Sequence, residues 1–218
     1  MLPALLTSSF HVASGSKYIR VAQADTNGKL WAAWTKMLDR LPKCTPKGPW
    51  IVGREVRTFL NSTMWPVEAR VLEYIVPDPQ SGQILRSRLE MMDGCYPIEN
   101  AHGPTTHHDY RLVLTEAQYL IRVHSLKFPK SLDEGLAENP YTVAQVGWDG
   151  VGFRISIEAH RDLQNKVLRM EEYTITKENR VSLWHQILGF VDEGFKPTIT
   201  MLEAFTIPLD PEDEPVGE

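Results

Sequence analysis

The chain has 218 residues and a formal net charge of −5 at pH 7, with a pI near 5.8. Hydrophobic residues make up 42% and charged residues 23%, which is typical of a folded globular protein and excludes wholesale disorder. The acidic balance and the scattered basic residues carry no nucleic-acid signature and argue against an anionic membrane surface as the main partner.

The cysteines and the N-terminal sequence indicate where in the cell the protein is expected. Cys44 and Cys95 are the only cysteines and form no CxxC pair, which favours a reducing environment over a disulfide framework. The opening stretch MLPALLTSSF lacks a basic n-region, and no run of about 18 apolar residues occurs. We therefore expect a soluble protein that is cytoplasmic or otherwise intracellular.

The first half of the chain predicts strands around one helix. Short alternating runs at 10–13 and 17–22 flank Ser-Gly-Ser and predict a hairpin. Residues 25–42 then change to helical spacing, with both tryptophans of the segment on the buried stripe. Residues 50–61 predict one strand, and residues 66–92 predict two strands around a Pro/Gly turn.

The middle of the chain alternates long connections with hairpins. Residues 93–109 have no periodicity and predict a long loop, which a hairpin of 110–114 with 118–126 follows. Residues 127–140 predict a second long connection with one helical turn. Asp149-Gly150 then predicts a two-residue hairpin turn within 141–159, in which Trp148 lies opposite Val151 and Val146 opposite Phe153.

The last third predicts a strand, a helix and a final strand. The strand covers 166–176, and the helix covers 177–194 with Thr176 as its N-cap and Gly194 just beyond its end. Its predicted buried stripe consists of Val181, Trp184, Ile187, Leu188 and Val191. Residues 197–208 alternate and predict the final strand, and the acidic, proline-rich residues 209–218 predict a disordered tail.

These elements predict one α+β domain over residues 1–208. Its sheet is mainly antiparallel, has about nine strands and is curved or forms a partial barrel, and two helices pack on it.

A histidine-rich segment supplies the candidate site. If the turn after Leu114 has three residues, His108 lies opposite His124, and if it has two, Asp109 lies there instead. Imidazole with carboxylate suits Zn²⁺, and a His–Asp pair suits general-base catalysis. The candidate catalytic residues are His108, Asp109 and His124, and the candidate metal ligands are His102, His107, His108, Asp109 and His124. Because neighbouring strand residues point to opposite faces, we favour an exposed polar strand edge over a metal site.

Other chemistry-bearing residues favour structural roles. Glu171 and Glu172 are adjacent in a predicted strand, so they face opposite ways and cannot act as a pair. His185 lies beside the stripe of the late helix and predicts a partly buried structural histidine.

The tryptophans divide into two groups. Those on stripes predict core positions or, in a curved sheet, the lining of an apolar pocket: Trp31, Trp34, Trp148 and Trp184. Trp50 and Trp65 lie near predicted strand or loop ends and predict a partner surface.

Two functional hypotheses remain. The sequence contains no GxGxxG, GxxxxGK[ST], GxSxG or HExxH motif, which disfavours nucleotide hydrolysis, Rossmann redox chemistry and α/β-hydrolase chemistry. The favoured hypothesis is a non-catalytic structural or protein-interaction domain that binds a protein partner or self-associates, as an assembly or virion-type subunit does. The alternative is a cup that binds a small apolar molecule, or an enzyme with a His/Asp site at one end of the sheet. No cofactor is predicted.

Overall fold

A computed structural model of the protein describes residues 17–21, 28–61, 70–98, 107–114, 117–126, 131–171 and 174–206. The strands are β1 (Tyr18–Val21), β2 (Trp50–Val52), β3 (Arg70–Val76), β4 (Cys95–Ile98), β5 (His107–Leu114), β6 (Ala117–Ser125), β7 (Val146–Trp148), β8 (Phe153–Ser156), β9 (Val167–Leu168) and β10 (Lys196–Pro197). The α-helices are α1 (Gly28–Leu38), α2 (Arg54–Asn61), α3 (Pro79–Glu90), α4 (Leu132–Ala137), α5 (Ile157–Asn165), α6 (Lys177–Asp192) and α7 (Ile199–Thr206).

The first eight strands of the described chain form one open sheet in the order β1-β8-β7-β2-β3-β6-β5-β4. Every neighbouring pair is antiparallel except β3 and β6, which run parallel. The prediction of a mainly antiparallel α+β fold is confirmed. The sheet is not closed into a barrel, because β1 and β4 lie at its two edges. The prediction of two packed helices is wrong, since the described residues contain seven α-helices.

One face of the sheet is buried under helices. Alternate residues of each strand form that face, among them Leu72, Tyr74 and Val76 on β3. Side chains from α1, α2, α3, α5, α6 and α7 join the same hydrophobic core. Because this face is closed by helices, the polar residues at the intervening strand positions project from the opposite face.

An aromatic cluster joins α1 and α2 to the sheet. Phe153 lies at its centre, with ring centroids 5.2 Å from Trp34, 4.7 Å from Phe59 and 4.8 Å from Trp148. The contacts with Trp34 and Trp148 are tilted and the one with Phe59 is stacked, and ring contacts at these distances add to the hydrophobic gain of burying the rings. The predicted helix with two buried tryptophans is confirmed as α1, where Trp31 is 8% and Trp34 is 0% exposed.

The opposite face of the sheet is covered in part by α4. Ser131 and Glu134 form a reciprocal capping box at its start. Its apolar residues Leu132 and Leu136 form a small core of their own with Tyr18, Trp50 and Val52. The predicted helical turn within 127–140 is confirmed, and it shields the sheet near β2 and β7. Trp50 is 1% exposed, so it does not offer the partner surface expected of it.

Three predicted strands are helices instead. The segment predicted as strand 50–61 is β2 followed by α2, and the second strand predicted in 66–92 is α3. Asp78 caps α3 by accepting the Ser81 backbone N–H at 2.8 Å, and Leu85 and Leu89 then face the core one turn apart. The final strand is α7, whose buried Met201 and Phe205 have the same four-residue spacing. Spacing of four satisfies both helical and alternating patterns, so the local signal was ambiguous.

Other loops and registers also differ from prediction. Residues 95–98 of the expected long loop form β4. The hairpin in 141–159 exists, but Trp148 pairs with Phe153 and Val146 with Ile155. The reason is that Asp149 accepts the backbone N–H groups of Val151 and Gly152, which makes the connection longer than two residues. The strand predicted at 166–176 is reduced to β9, which pairs in parallel with β10.

The late helix is confirmed, and its buried side is different. Thr176 caps α6 together with Asn179, and Gly194 follows the helix with a φ of 87°. The buried residues are Leu183, Ile187 and Phe190, whereas Val181, Trp184, Leu188 and Val191 are exposed. The predicted stripe was therefore wrong except at Ile187.

Several predictions lie outside the described residues: the strand at 10–13, Trp65, Glu172 and the tail at 209–218. The single-domain assignment to 1–208 stays a prediction. No helix in the described ranges is long and apolar enough to cross a membrane.

Candidate active site

A row of polar residues crosses the open face of the sheet. Glu73 on β3 pairs with Arg122 on β6, and Arg122 pairs in turn with Asp109 on β5. Directly paired residues on neighbouring strands project their side chains on the same face. Two carboxylates therefore flank one guanidinium in the middle of the sheet, where all three side chains are partly exposed.

The Arg122 guanidinium is held by Asp109. Its Nε donates to Oδ1 at 3.0 Å and its Nη2 donates to Oδ2 at 3.3 Å, a two-bond arrangement that fixes the plane of the group. The Arg122 side chain is 31% exposed and that of Asp109 is 11% exposed. The hydrogen bonds to Asp109 raise the pKa of Arg122, and the negative charges of Asp109 and Glu73 act in the same direction.

Glu73 lies against the start of α2. Strand β2 ends at Val52, which is paired with Glu73, and Gly53 connects it to α2 with a φ of 87°. A Cβ atom on Gly53 would lie 2.9 Å from both Cδ and Oε2 of Glu73, so a side chain there would displace this carboxylate. The Glu73 carboxylate thus lies at the N-terminal end of a helix, where backbone N–H groups and the helix dipole favour negative charge.

The predicted histidine site is only partly brought together. His107 lies opposite His124, and the register places neither His108 nor Asp109 there, so both alternatives were wrong. The turn joins Leu114 to Ala117, which sets Asp109 opposite Arg122 instead.

The remaining candidate residues are separated by the alternation of the strand. His108 contacts Arg86 of α3 through its Nε2 atom, whereas its neighbour Asp109 projects to the open face. His102 and the side chain of His107 lie outside the described residues. Within the ranges that the structure describes, no three His, Cys, Asp or Glu side chains are arranged to hold a metal ion. A catalytic or metal-binding role for these histidines stays a prediction.

The other candidate residues lie away from the row. Glu171 forms an ion pair with Lys17 at 3.3 Å. His185 is exposed on α6, so the expectation of a partly buried histidine is wrong. Cys44 and Cys95 are both free thiols, and burial raises the pKa of each.

Sequence reasoning missed two of the three residues of the row, Glu73 and Arg122. Arg122 and Glu73 meet through the parallel pairing of β3 with β6, which joins segments far apart in the chain. A local signal was present at Glu73, because it is a single charged residue within the run VLEYIV. A second signal was Gly53, which interrupts an apolar run directly before a polar helix start.

Comparison with solved structures identifies the fold. A CCA-adding enzyme of Thermotoga maritima in complex with tRNA matches with a TM-score of 0.50 and 14% identity, covering 72% of this chain and 36% of that chain. Two further CCA-adding enzyme structures match with TM-scores of 0.51 at 14% identity: an apo form, covering 87% of this chain and 45% of that chain, and a complex with ATP, covering 83% and 42%. The chain thus spans less than half the length of these structures.

At this level of identity the likeness establishes a shared fold. No protein-family model and no curated protein sequence matches the chain.

The likeness corrects the functional expectations from sequence. The favoured hypothesis of a non-catalytic structural or protein-interaction domain is wrong, because the solved structures with this fold are enzymes. The preference for a protein partner or self-association and the expected absence of nucleic acid are contradicted as well, since one of these structures holds tRNA and another ATP. The absence of a P-loop or Rossmann motif was no evidence against nucleotide chemistry on this fold.

Proposed function

We propose that the chain is a nucleotidyl-transferring unit that binds a nucleoside triphosphate on the open face of the sheet and transfers the nucleotide to an RNA hydroxyl. The observation that carries this proposal is the row of Glu73, Arg122 and Asp109 beside the N-terminal end of α2. It is supported by the fold shared with CCA-adding enzymes, one of them solved with tRNA and one with ATP.

The residues of the row suit a polyphosphate ligand. Arginine recognises phosphate through several N–H groups at once, and a helix N-terminus offers backbone N–H groups and a favourable dipole. Asp109, a candidate residue from the sequence, is hydrogen-bonded to Arg122 on the neighbouring strand.

The two carboxylates do not form a magnesium site by themselves. Mg²⁺ is usually held by one or two carboxylates together with substrate phosphates. Both oxygens of Asp109 already accept hydrogen bonds from Arg122, whose strand lies between those of Glu73 and Asp109. No step of the proposed reaction therefore rests on an ion held by these carboxylates.

The proposed reaction is a displacement at the α-phosphorus. The RNA hydroxyl oxygen forms a bond to that phosphorus while the bond to the oxygen bridging to the β-phosphate breaks. Pyrophosphate leaves with the electron pair of the broken bond, and the hydroxyl proton is released to solvent. Arg122 donates hydrogen bonds to the phosphate oxygens, which stabilises the charge that accumulates on the leaving group.

A transfer assay tests the proposal. The chain is incubated with Mg²⁺, RNA oligonucleotides that end in a free hydroxyl, and each of the four nucleoside triphosphates carrying a label at the α-phosphate. We expect labelled RNA with wild type, strongly reduced label with Glu73→Gln, and wild-type label with Glu203→Gln, which changes an exposed carboxylate on α7. Equal labelling by Glu73→Gln and wild type would exclude this site.

A further inference from the structure

A second row of residues lies beside the row of Glu73, Arg122 and Asp109. Tyr96 on β4 pairs directly with Arg111 on β5, so both side chains project from the same face of the sheet. Arg111 is two residues from Asp109 along β5, and residues two apart in a strand share a face. Tyr96 and Arg111 therefore lie on the open face, about 7 Å along the strands from the first row.

Both side chains of this pair are available to a ligand. Tyr96 is 59% exposed, and Arg111 is exposed beside it. Among the residues that the structure describes, the Arg111 side chain has no hydrogen-bond or ion-pair partner. An aromatic ring gives a nucleic-acid base a surface for stacking, and a neighbouring cationic side chain binds the phosphates of the same strand. The pair thus has the composition of a site for single-stranded nucleic acid.

The charges of the two rows differ. The first row carries two carboxylates and one guanidinium. The second row continues from Arg111 to Leu120 on β6 and Val71 on β3, both apolar and partly exposed, so its described residues carry one positive charge and no negative one. RNA phosphates are repelled by carboxylates and attracted to an unpaired guanidinium. An RNA strand on the open face is therefore favoured over the second row.

The edge position of β4 suits a stacked base better than an added protein strand. In the described sheet β4 is the last strand, so one of its edges is open beside Tyr96. Pro97 lies within β4 and lacks the backbone N–H group that an added strand would bond. The exposed ring of Tyr96 is thus explained better by a ligand that uses the ring itself.

We infer that Tyr96 and Arg111 bind the single-stranded end of the RNA acceptor, with a base stacked on the tyrosine ring and a neighbouring phosphate bound by the guanidinium. This inference rests on the proposed function, because it assigns a site to the RNA substrate of that reaction. Neighbouring strands lie about 4.8 Å apart, so Tyr96 on β4 lies about 10 Å across the sheet from Arg122 on β6. An RNA end bound there is close to a triphosphate on the first row.

The first test measures the contribution of stacking. Binding of a short, fluorescein-labelled single-stranded RNA is followed by fluorescence anisotropy. Tyr96→Ala should weaken binding by about 5- to 100-fold, because one stacked base is lost, whereas Tyr96→Phe keeps the ring and should bind within about 2-fold of wild type. The matched control is Trp184→Ala, which removes an exposed aromatic ring on α6 and should bind RNA as wild type does.

The second test measures the phosphate contact. The slope of log affinity against log salt concentration should fall by about 0.7 in Arg111→Gln, since one contact to a single-strand phosphate is lost. Arg111→Lys keeps the charge and should keep the slope. Arg88→Gln, which changes an exposed arginine on α3, is the matched control and should also keep it.

The inference and the proposed function fail separately. The same variants are titrated with a non-hydrolysable ATP analogue, which we expect Tyr96→Ala and Arg111→Gln to bind as wild type does. Unchanged RNA affinity in both variants, or no RNA binding by wild type, would overturn the inference. A wild-type chain that neither binds the analogue nor transfers label would remove the proposed function, whatever Tyr96→Ala does to RNA binding.

Discussion

Arg122 and Asp109 form a two-point ion pair between neighbouring strands, with N···O distances of 3.0 and 3.3 Å. Partly exposed pairs of this kind contribute little to stability, of order 1 kcal/mol. We therefore attribute a ligand-binding role, more than a stabilising one, to this ion pair on the open face. Asp109 fixes the plane of the guanidinium through these two hydrogen bonds.

Asp109→Asn should separate binding from stability. We expect the free energy of unfolding to fall by only about 1 kcal/mol, because the lost pair is partly exposed. Nucleotide binding should weaken by about 10-fold, since the Arg122 guanidinium loses the charge-assisted hydrogen bonds that fix its plane. Calorimetric titration with and without Mg²⁺ measures the second effect and urea unfolding the first. A large stability loss with unchanged binding would make the pair structural.

Gly53→Ala should disturb both the backbone and Glu73. A residue other than glycine at a φ of 87° costs about 1–2 kcal/mol, and the new Cβ would press on the Glu73 carboxylate. We expect lower stability together with weaker nucleotide binding. The control is Gly189→Ala, which lies inside α6 with no atom near the added Cβ and should gain up to about 1 kcal/mol. If Gly53→Ala bound nucleotide as tightly as wild type, nucleotide binding would not depend on the position of the Glu73 carboxylate.

The buried carboxylate of Asp162 on α5 is stabilised by hydrogen bonds to two neighbouring side chains. The Asp162 side chain is 1% exposed and accepts hydrogen bonds from Thr142 Oγ1 at 2.8 Å and Arg169 Nε at 3.1 Å. Arg169→Met should lower the free energy of unfolding by about 1–3 kcal/mol, because the carboxylate loses its charged donor. The lower half of that range is expected, since the Arg169 side chain is 47% exposed and solvent screens the pair.

The matched control for this substitution is Arg161→Met, an exposed position on α5. It should change stability by less than about 0.5 kcal/mol in the same urea titration. If the two variants were equally stable, Asp162 would not depend on Arg169.

Alkaline pH should expose the contribution of Tyr110. Burial raises the pKa of Tyr110 to about 12, and the negative charge of Glu90 and the hydrogen bond to it act in the same direction. The neutral hydroxyl therefore stabilises the folded chain. This contribution is complete below the ordinary tyrosine pKa of about 10 and is lost as the pH rises to about 12.

Unfolding by denaturant at a series of pH values measures this loss. Tyr110→Phe should lose less stability than wild type across that window, whereas Tyr96→Phe, which is 59% exposed before substitution, should follow wild type. Identical pH dependence in Tyr110→Phe and wild type would contradict the account.

Local sequence signals predicted the existence of some elements better than their details. Helix α1 was predicted with its buried tryptophans, whereas helix α6 was predicted with a stripe of which only Ile187 is buried, and the hairpin of β5 with β6 was predicted in a different register. Helix α3 was mistaken for a strand although Asp78-Pro79 is a helix start signal, because Leu85 and Leu89 also satisfy a period of two.

The site was harder to predict for a physical reason. Asp109 was identified from its histidine neighbours, but its partners are decided by strand register and by the parallel pairing of β3 with β6. A one-residue difference in the turn after Leu114 changes which residue lies opposite Asp109. Glu73 and Arg122 come from strands that are not consecutive in the chain, and no local pattern brings them together.

The most direct measurement is a crystal structure of the chain with a non-hydrolysable nucleoside triphosphate analogue. The account predicts analogue phosphates bonded to Arg122 on the open face of the sheet. An analogue bound elsewhere, with Arg122 still paired only to Asp109, would contradict it.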